Sequence, residues 1–263
     1  MSETRVTGRW TPAGGGAAPA WRSTLAQAAM ELRLTTRRAE NLLVTLAIPV
    51  LLLVFFGSVD VLPTAAGRTV DFLLPGVIAL AVISTSLVSL GIATCYERSY
   101  GVLKRLGGSP LSRSGLVTAK IAAVVAVELL QLAVLVAIAV GLFGWAPGAG
   151  GSPIVVAAAL LLGTLAFAGL GLLMAGNLRA EATLAGANGL YLLFILLGGV
   201  IVPIDRLPPL LVDLAGVLPA AALSDAFRIG FGTSGGDPIG PLAILAGWGI
   251  VAAGLATRTF RWE

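Results

Sequence analysis

Histidine is absent from this chain of 263 residues, and cysteine occurs once, at Cys95. Without histidine the sequence lacks the side chain that most often serves as a neutral-pH base and a metal ligand. A lone cysteine closes no disulfide within the chain. Hydrolytic triads and zinc centres are therefore not expected. Charge is scarce too: Asp, Glu, Lys and Arg make up 11% of residues, against 57% hydrophobic and a mean hydropathy of +0.96. So little polar surface cannot cover so much apolar side chain in water, which excludes a soluble globule and points to an integral membrane protein. The phosphate-cradling pattern G-x-x-x-x-G-K-[ST] does not occur, so any ATP chemistry has to come from another chain. No loop gathers an acid, a base and a nucleophile, so a membrane-embedded enzyme has little support.

What is present is six apolar runs, at about 41–57, 70–94, 116–143, 154–176, 183–202 and 241–257. Crossing roughly 30 Å of hydrocarbon takes about 20 helical residues. Each run is long enough, the first only by drawing in Ala39 and Glu40 or by sitting where the bilayer thins. The pattern predicts an all-α polytopic membrane protein with six transmembrane helices over 39–263. Ahead of it, residues 1–20 hold the Gly/Ala/Pro-rich TPAGGGAAPA, expected to be a disordered cytoplasmic tail. Trp21, Leu25, Ala28, Ala29 and Leu32 then recur at helical spacing, with Arg22, Gln27, Arg33 and Arg37 mostly off that stripe. This predicts an amphipathic interfacial helix over 21–38, too polar to span, with its arginines toward anionic membrane lipid. Gly163, Ala166, Ala168, Gly169, Gly171 and Ala175, with Gly186 and Ala187, are placed as close helix contacts.

Orientation follows from the basic residues. With the N-terminus cytoplasmic, all 17 Lys and Arg except Arg68, Arg206 and Arg228 fall on that side. Asp60, Asp71, Asp205, Asp213, Asp225 and Asp237 fall on the other. Both termini are then cytoplasmic, with Arg258 and Arg261 beside the last span. Lysine occurs only at Lys104 and Lys120; this preference for arginine, with abundant Ala and Gly, points to a GC-rich bacterial genome and the bacterial cell (plasma) membrane.

Between the second and third runs lies a basic island, ERSYGVLKRLGGSPLSRSGLVTAK, from Glu97 to Lys120. Val102, Leu103 and Leu106 form one small apolar face on a short helix, Lys104 and Arg105 face elsewhere, and Gly107-Gly108 breaks it. Ser109-Pro110 reads as the N-cap and first residue of the helix entering the third run. Helix, break, helix suits a segment held against another protein or the membrane plane; an ordinary basic loop that only sets orientation is the alternative. Glu97-Arg98, Gly101, Leu103, Arg105-Leu106, Ser109-Pro110-Leu111-Ser112 and Lys120 resemble, in order and spacing, the cytoplasmic loop of permease subunits of type-two ABC exporters, the drug-resistance and polysaccharide-export group. That family often has an acid where Ser99 stands and bulkier residues where Gly107-Gly108 stand.

The resemblance implies that loop 95–115 forms a coupling helix that docks on a separate ABC ATPase subunit. The coupling residues would be Glu97, Arg98, Gly101, Leu103, Lys104, Arg105 and Leu106. ATP and Mg would be bound by that subunit, and no cofactor by this chain. Six spans are few for a complete pathway, so a conduit between two permease copies, as a homodimer or a heterodimer with a related chain, is expected and is also what the resemblance implies. In that family a helix at 21–38 flanks the same ATPase; a juxtamembrane helix without a partner is the alternative. No nucleic acid is expected as a partner.

Two further stretches stand out. From 203 to 240 the chain is too apolar for a solvated loop and too broken by proline and charge to cross as one helix. Leu207 to Leu218 is expected to dip into the outer leaflet, with Pro208, Pro209 and Pro219 ending short helical pieces and Ser224 capping another through Arg228. In the resembling permeases such re-entrant helices form an external gate, which makes Leu207, Pro208, Pro209 and Leu210 gate candidates; a passive outer cap is the alternative. Within the membrane, Glu128 and Gln131 project from one face of the third run near mid-bilayer. Glu128 is either a pathway residue or an interhelical lock satisfied by Gln131 and a Ser or Thr of the second run, where Thr85 and Ser89 share a face. The expected function is export of a hydrophobic drug-like, lipid or lipid-linked substrate, since sparse aromatics (6%) offer little ring surface to a sugar. The competing reading is a proton-coupled carrier or small channel built on Glu128, without an ATPase.

Overall fold

The computed structural model describes residues 19–37, 39–59, 68–108, 111–200 and 208–259, and every regular element among them is helical. The tail up to residue 18, Arg38, Asp60, Ser109-Pro110, Asp205, Arg206, Leu207 and Arg261 lie outside the described residues.

Helix α1 (Ala20–Arg37) forms where the amphipathic stripe predicts it. Trp21, Leu25 and Ala29 of that stripe are exposed, whereas its Ala28 and Leu32 are partly buried together with Thr24, Gln27 and Glu31; Met30 and Leu34 are exposed on the other side of the helix. A mixed edge of polar and small apolar residues therefore packs on the protein. Helix α2 (Ala39–Ser58) starts at the two residues the first run had to draw in. Its 20 residues reach about 30 Å at 1.5 Å per residue, and its apolar part is Thr45–Ser58. Pro49 lies inside it and has no N–H to offer the Thr45 carbonyl one turn back.

The second span is the most deeply packed. Helix α3 (Thr69–Ile83), a π-helical turn (Ser84–Ser89) and α4 (Leu90–Ser99) run on as one 31-residue helix, longer at its inner end than the 70–94 of the apolar run. After the short α5 (Val102–Gly107) comes α6 (Arg113–Phe143), and α1 lies along it. The expected cap at Ser109 is corrected here: α6 begins at Arg113, and the hydroxyl of Ser112 accepts from the Gly115 N–H at 3.0 Å. Then follow α7 (Pro153–Asn177), α8 (Ala180–Leu197), α9 (Pro209–Val217), α10 (Pro219–Gly230) and α11 (Ile239–Thr259). Helix α8 stops five residues short of the predicted end because Gly198 and Gly199, the latter at φ +61°, turn the chain.

Among the described residues, five helices are long and apolar enough to cross a membrane: Thr69–Ser99, Arg113–Phe143, Pro153–Asn177, Ala180–Leu197 and Ile239–Thr259. Helix α2 covers the remaining run. Between α8 and α11, α9 and α10 meet at 78°, the bent pair expected from the proline-interrupted stretch. Two details differ. Pro209 and Pro219 begin helices instead of ending them, since a proline at the first position wastes no backbone donor. Ser224 is not a cap: it is wholly buried inside α10 and its hydroxyl donates to the Ala220 carbonyl at 3.1 Å.

Helix α7 is the centre of the packing, with α11 along one side and α4, the π turn and α10 on others. Close approach needs glycine at two positions. A Cβ on Gly169 would stand 2.7 Å from the Ala253 nitrogen, and one on Gly171 would stand 2.7 Å from the Leu87 carbonyl oxygen in the π turn. Around these contacts Phe167, Phe194, Leu223 and Phe227 fill the buried cluster, with the rings of Phe167 and Phe194 edge to face at 5.5 Å.

Candidate functional site

The elbow after α4 is built from the sequence pattern of the basic island. Gly101 adopts φ +71°, which lets the chain reverse and α5 start at once. Leu103, wholly buried, packs with Leu111 and Leu116 in a small separate apolar cluster that Leu106 joins. Leu103 and Leu106 thus pin α5 to the start of α6, whereas Val102, expected on the same apolar face, is exposed. Lys104 and Arg105 are exposed, as are Tyr96, Tyr100 and Val102, and the two tyrosine rings stack at 6.0 Å. This leaves a basic and aromatic face on the outer side of the elbow. Arg98 is turned away from it: its guanidinium donates to the Leu178 carbonyl at the corner between α7 and α8.

Glu97 is turned inward as well. Its carboxylate accepts from Lys120 Nζ at 2.7 Å, and the same ammonium lies 2.9 Å from the Glu31 carboxylate of α1. Lys120 is 2% exposed, so this is a buried cation held by two anions from two other helices. Of the seven predicted coupling residues, Gly101, Leu103 and Leu106 shape and anchor the elbow, Lys104 and Arg105 face outward, and Glu97 and Arg98 tie it to neighbouring helices. Glu31 was missed by sequence reasoning; the available signal was its being the sole acid in a helix that also carries Arg22, Arg33 and Arg37.

The intramembrane polar residues form two separate contacts. Glu128 and Thr164 are both buried, and the Thr164 hydroxyl donates to Glu128 Oε2 across the α6–α7 interface. Glu128 Oε1 has no hydrogen-bond partner. Gln131, expected to satisfy Glu128, reaches elsewhere: its Oε1 accepts from the Thr85 hydroxyl at 3.1 Å and its Nε2 donates to the Thr45 carbonyl at 3.3 Å. That carbonyl is the one Pro49 leaves without a helical donor, so the glutamine repairs the proline's defect. Residues three apart on one helix share a face, yet α6 has α7 on one flank of that face and α2 with the π turn on the other. Thr85 is buried in this contact, and Ser89 is partly buried one turn on.

On the opposite side, Pro208, Pro209 and Leu210 are exposed at the start of α9, as are Leu214 and Val217, whereas α10 is buried almost throughout. Arg228 anchors α10: it pairs with Asp225 at 3.1 Å, donates to the Gly199 carbonyl and lies 4.3 Å from the Phe72 ring centre. Helix α9 is thus largely exposed, whereas α10, bent 78° from it, belongs to the packed core. Among the described residues no group of His, Cys, Asp and Glu can hold a metal ion.

Comparison with known proteins agrees with this architecture. The family model for the ABC-2 type transporter matches residues 23–231, from α1 to the end of α10. No curated protein gives a significant match. With most of its length covered by that match and its helices long enough to span, the chain belongs to the ABC-2 type transporter family and is a membrane-spanning permease of that kind.

Proposed function

We propose that this permease works in an ATP-driven exporter. A separate ABC ATPase binds the α4–α5 elbow from the cytoplasm, two permease copies or this chain and a related one form the conduit, and a hydrophobic drug-like, lipid or lipid-linked substrate leaves the cytoplasm or inner leaflet. The observation that carries this reading is the elbow itself: a short helix pinned through Leu103 and presenting Lys104 and Arg105 outward, with Tyr96 and Tyr100 exposed at the end of α4. A pinned helix passes on a push, which a solvated loop would absorb. ATP-driven movement of the docked subunit would tilt α4 and α6 and reopen the interface between permeases outward.

The test is co-purification with an ATPase encoded beside this permease, comparing the wild type with Gly101→Pro plus Arg105→Glu. Proline is fixed near φ −65° and cannot take the φ +71° of Gly101. Binding by the wild type that this variant abolishes is the expected result; no ATPase bound by the wild type would refute the exporter. One observation favours a second reading, a proton-coupled carrier: the buried Oε1 of Glu128 without a partner. Glu128→Gln would abolish pH-dependent transport by a carrier and leave ATP-driven transport in place.

A further inference from the structure

Three helices meet at one ammonium group. Lys120 of α6 lies 2.9 Å from Glu31 of α1 and 2.7 Å from Glu97 of α4, and it is almost fully withdrawn from solvent. Glu97 sits one helical turn before Gly101, where the chain turns into α5. Among the described residues, α1 adds no side chain to any of the three buried apolar clusters. Its packed edge mixes Thr24, Gln27 and Glu31 with the partly buried Ala28 and Leu32, and it comes close at a glycine: a Cβ on Gly115 would stand 3.0 Å from the Thr24 hydroxyl. Apolar contacts are non-directional and let helices slide. Charge-assisted hydrogen bonds fix distance and direction, and separating these partners strands the buried ammonium in a poorly solvating site. The shared lysine therefore gives α1 a directional link to the elbow that its packing along α6 does not supply.

We infer that Lys120 is a positioning residue for energy coupling: a pin that makes α1 follow the α4–α5 elbow. Displacement of the elbow then reaches the interfacial helix, and through it α2, which begins at Ala39 just past the end of α1. The inference rests on the exporter reading above. Glu31 is the residue to change. It is on the helix that follows, and its loss leaves the Lys120–Glu97 pair and the outward face of α5 in place.

The experiment is a spin-label distance between Ala26 on α1 and Ala182 on α8, both exposed, in the complex with its ATPase before and after trapping with ADP and vanadate. In the wild type the distance shifts on trapping. In Glu31→Gln the ATPase binds and hydrolyses ATP as in the wild type, but the shift is lost. The charge-inverted combination Glu31→Lys, Glu97→Lys and Lys120→Glu restores it. A shift in Glu31→Gln equal to that of the wild type overturns the pin while leaving the exporter intact. Loss of bound ATPase in Glu31→Gln marks a docking or folding role and also overturns it. A wild type that recruits no ATPase overturns the exporter reading and this role with it.

Discussion

Thr164→Val removes the hydroxyl that reaches Glu128 and nearly preserves side-chain volume. Thr164 is fully buried and Glu128 is 1% exposed, on facing sides of α7 and α6. Since Glu128 Oε1 already has no partner, the variant strands both carboxyl oxygens. An unsatisfied buried polar group costs about 1–3 kcal/mol in soluble proteins, and interhelical hydrogen bonds in membranes average about 0.6 and reach about 1.7 kcal/mol. The expected loss is about 1–2 kcal/mol, a fall of about 5- to 30-fold in the folded-to-unfolded ratio. Glu128→Leu should cost less, because the Thr164 hydroxyl still has the Leu160 carbonyl at 2.7 Å. The double variant should then lie close to Glu128→Leu alone. Equilibrium unfolding in mixed micelles across the four proteins of this cycle measures the coupling. Effects that add within about 0.3–0.5 kcal/mol would show that the two side chains share no bond. The interhelical lock would then be refuted, and Glu128 would be free for a pathway.

The other contacts make equally direct predictions. Gln131→Leu leaves the Thr45 carbonyl without a donor and should lower the thermal midpoint in detergent, whereas adding Pro49→Ala returns an N–H to that carbonyl and should recover much of the loss. Gly171→Val places a Cβ 2.7 Å from one backbone carbonyl and 3.1 Å from a second in the π turn, at a cost of about 1–3 kcal/mol that a lower monodisperse yield reports; Gly141→Val, with nothing within 4 Å, should be silent. Lys120→Met leaves two neighbouring, partly exposed carboxylates uncompensated, at about 1–3 kcal/mol, and adding Glu31→Gln with Glu97→Gln should recover most of it in the same unfolding assay.

Several contacts were not legible because they depend on which helices become neighbours. The single acid of α1, Glu31, reads as one charge on a polar face until α6 brings Lys120 to it. Ser224 reads as a cap because serine after a proline-rich stretch usually is one, yet α10 is long enough to run through it and buried enough to turn its hydroxyl onto its own backbone. The π turn at Ser84–Ser89 has no sequence mark beyond a cluster of hydroxyls, and it rests against a glycine far along the chain.

By itself the sequence determined the helical class, the placement of the apolar helices, the helix at Ala20–Arg37 and the short helix at the elbow. These follow from hydropathy and from periodicity within single segments, which are local properties that any packing must respect. Only the tertiary structure decided that Glu128 pairs with Thr164, that Gln131 serves the carbonyl freed by Pro49, and that Lys120 binds two helices at once. Each of those pairings is set by the flank on which a neighbouring helix lies, which is a property of the packing, not by the spacing of the paired residues along their own helices.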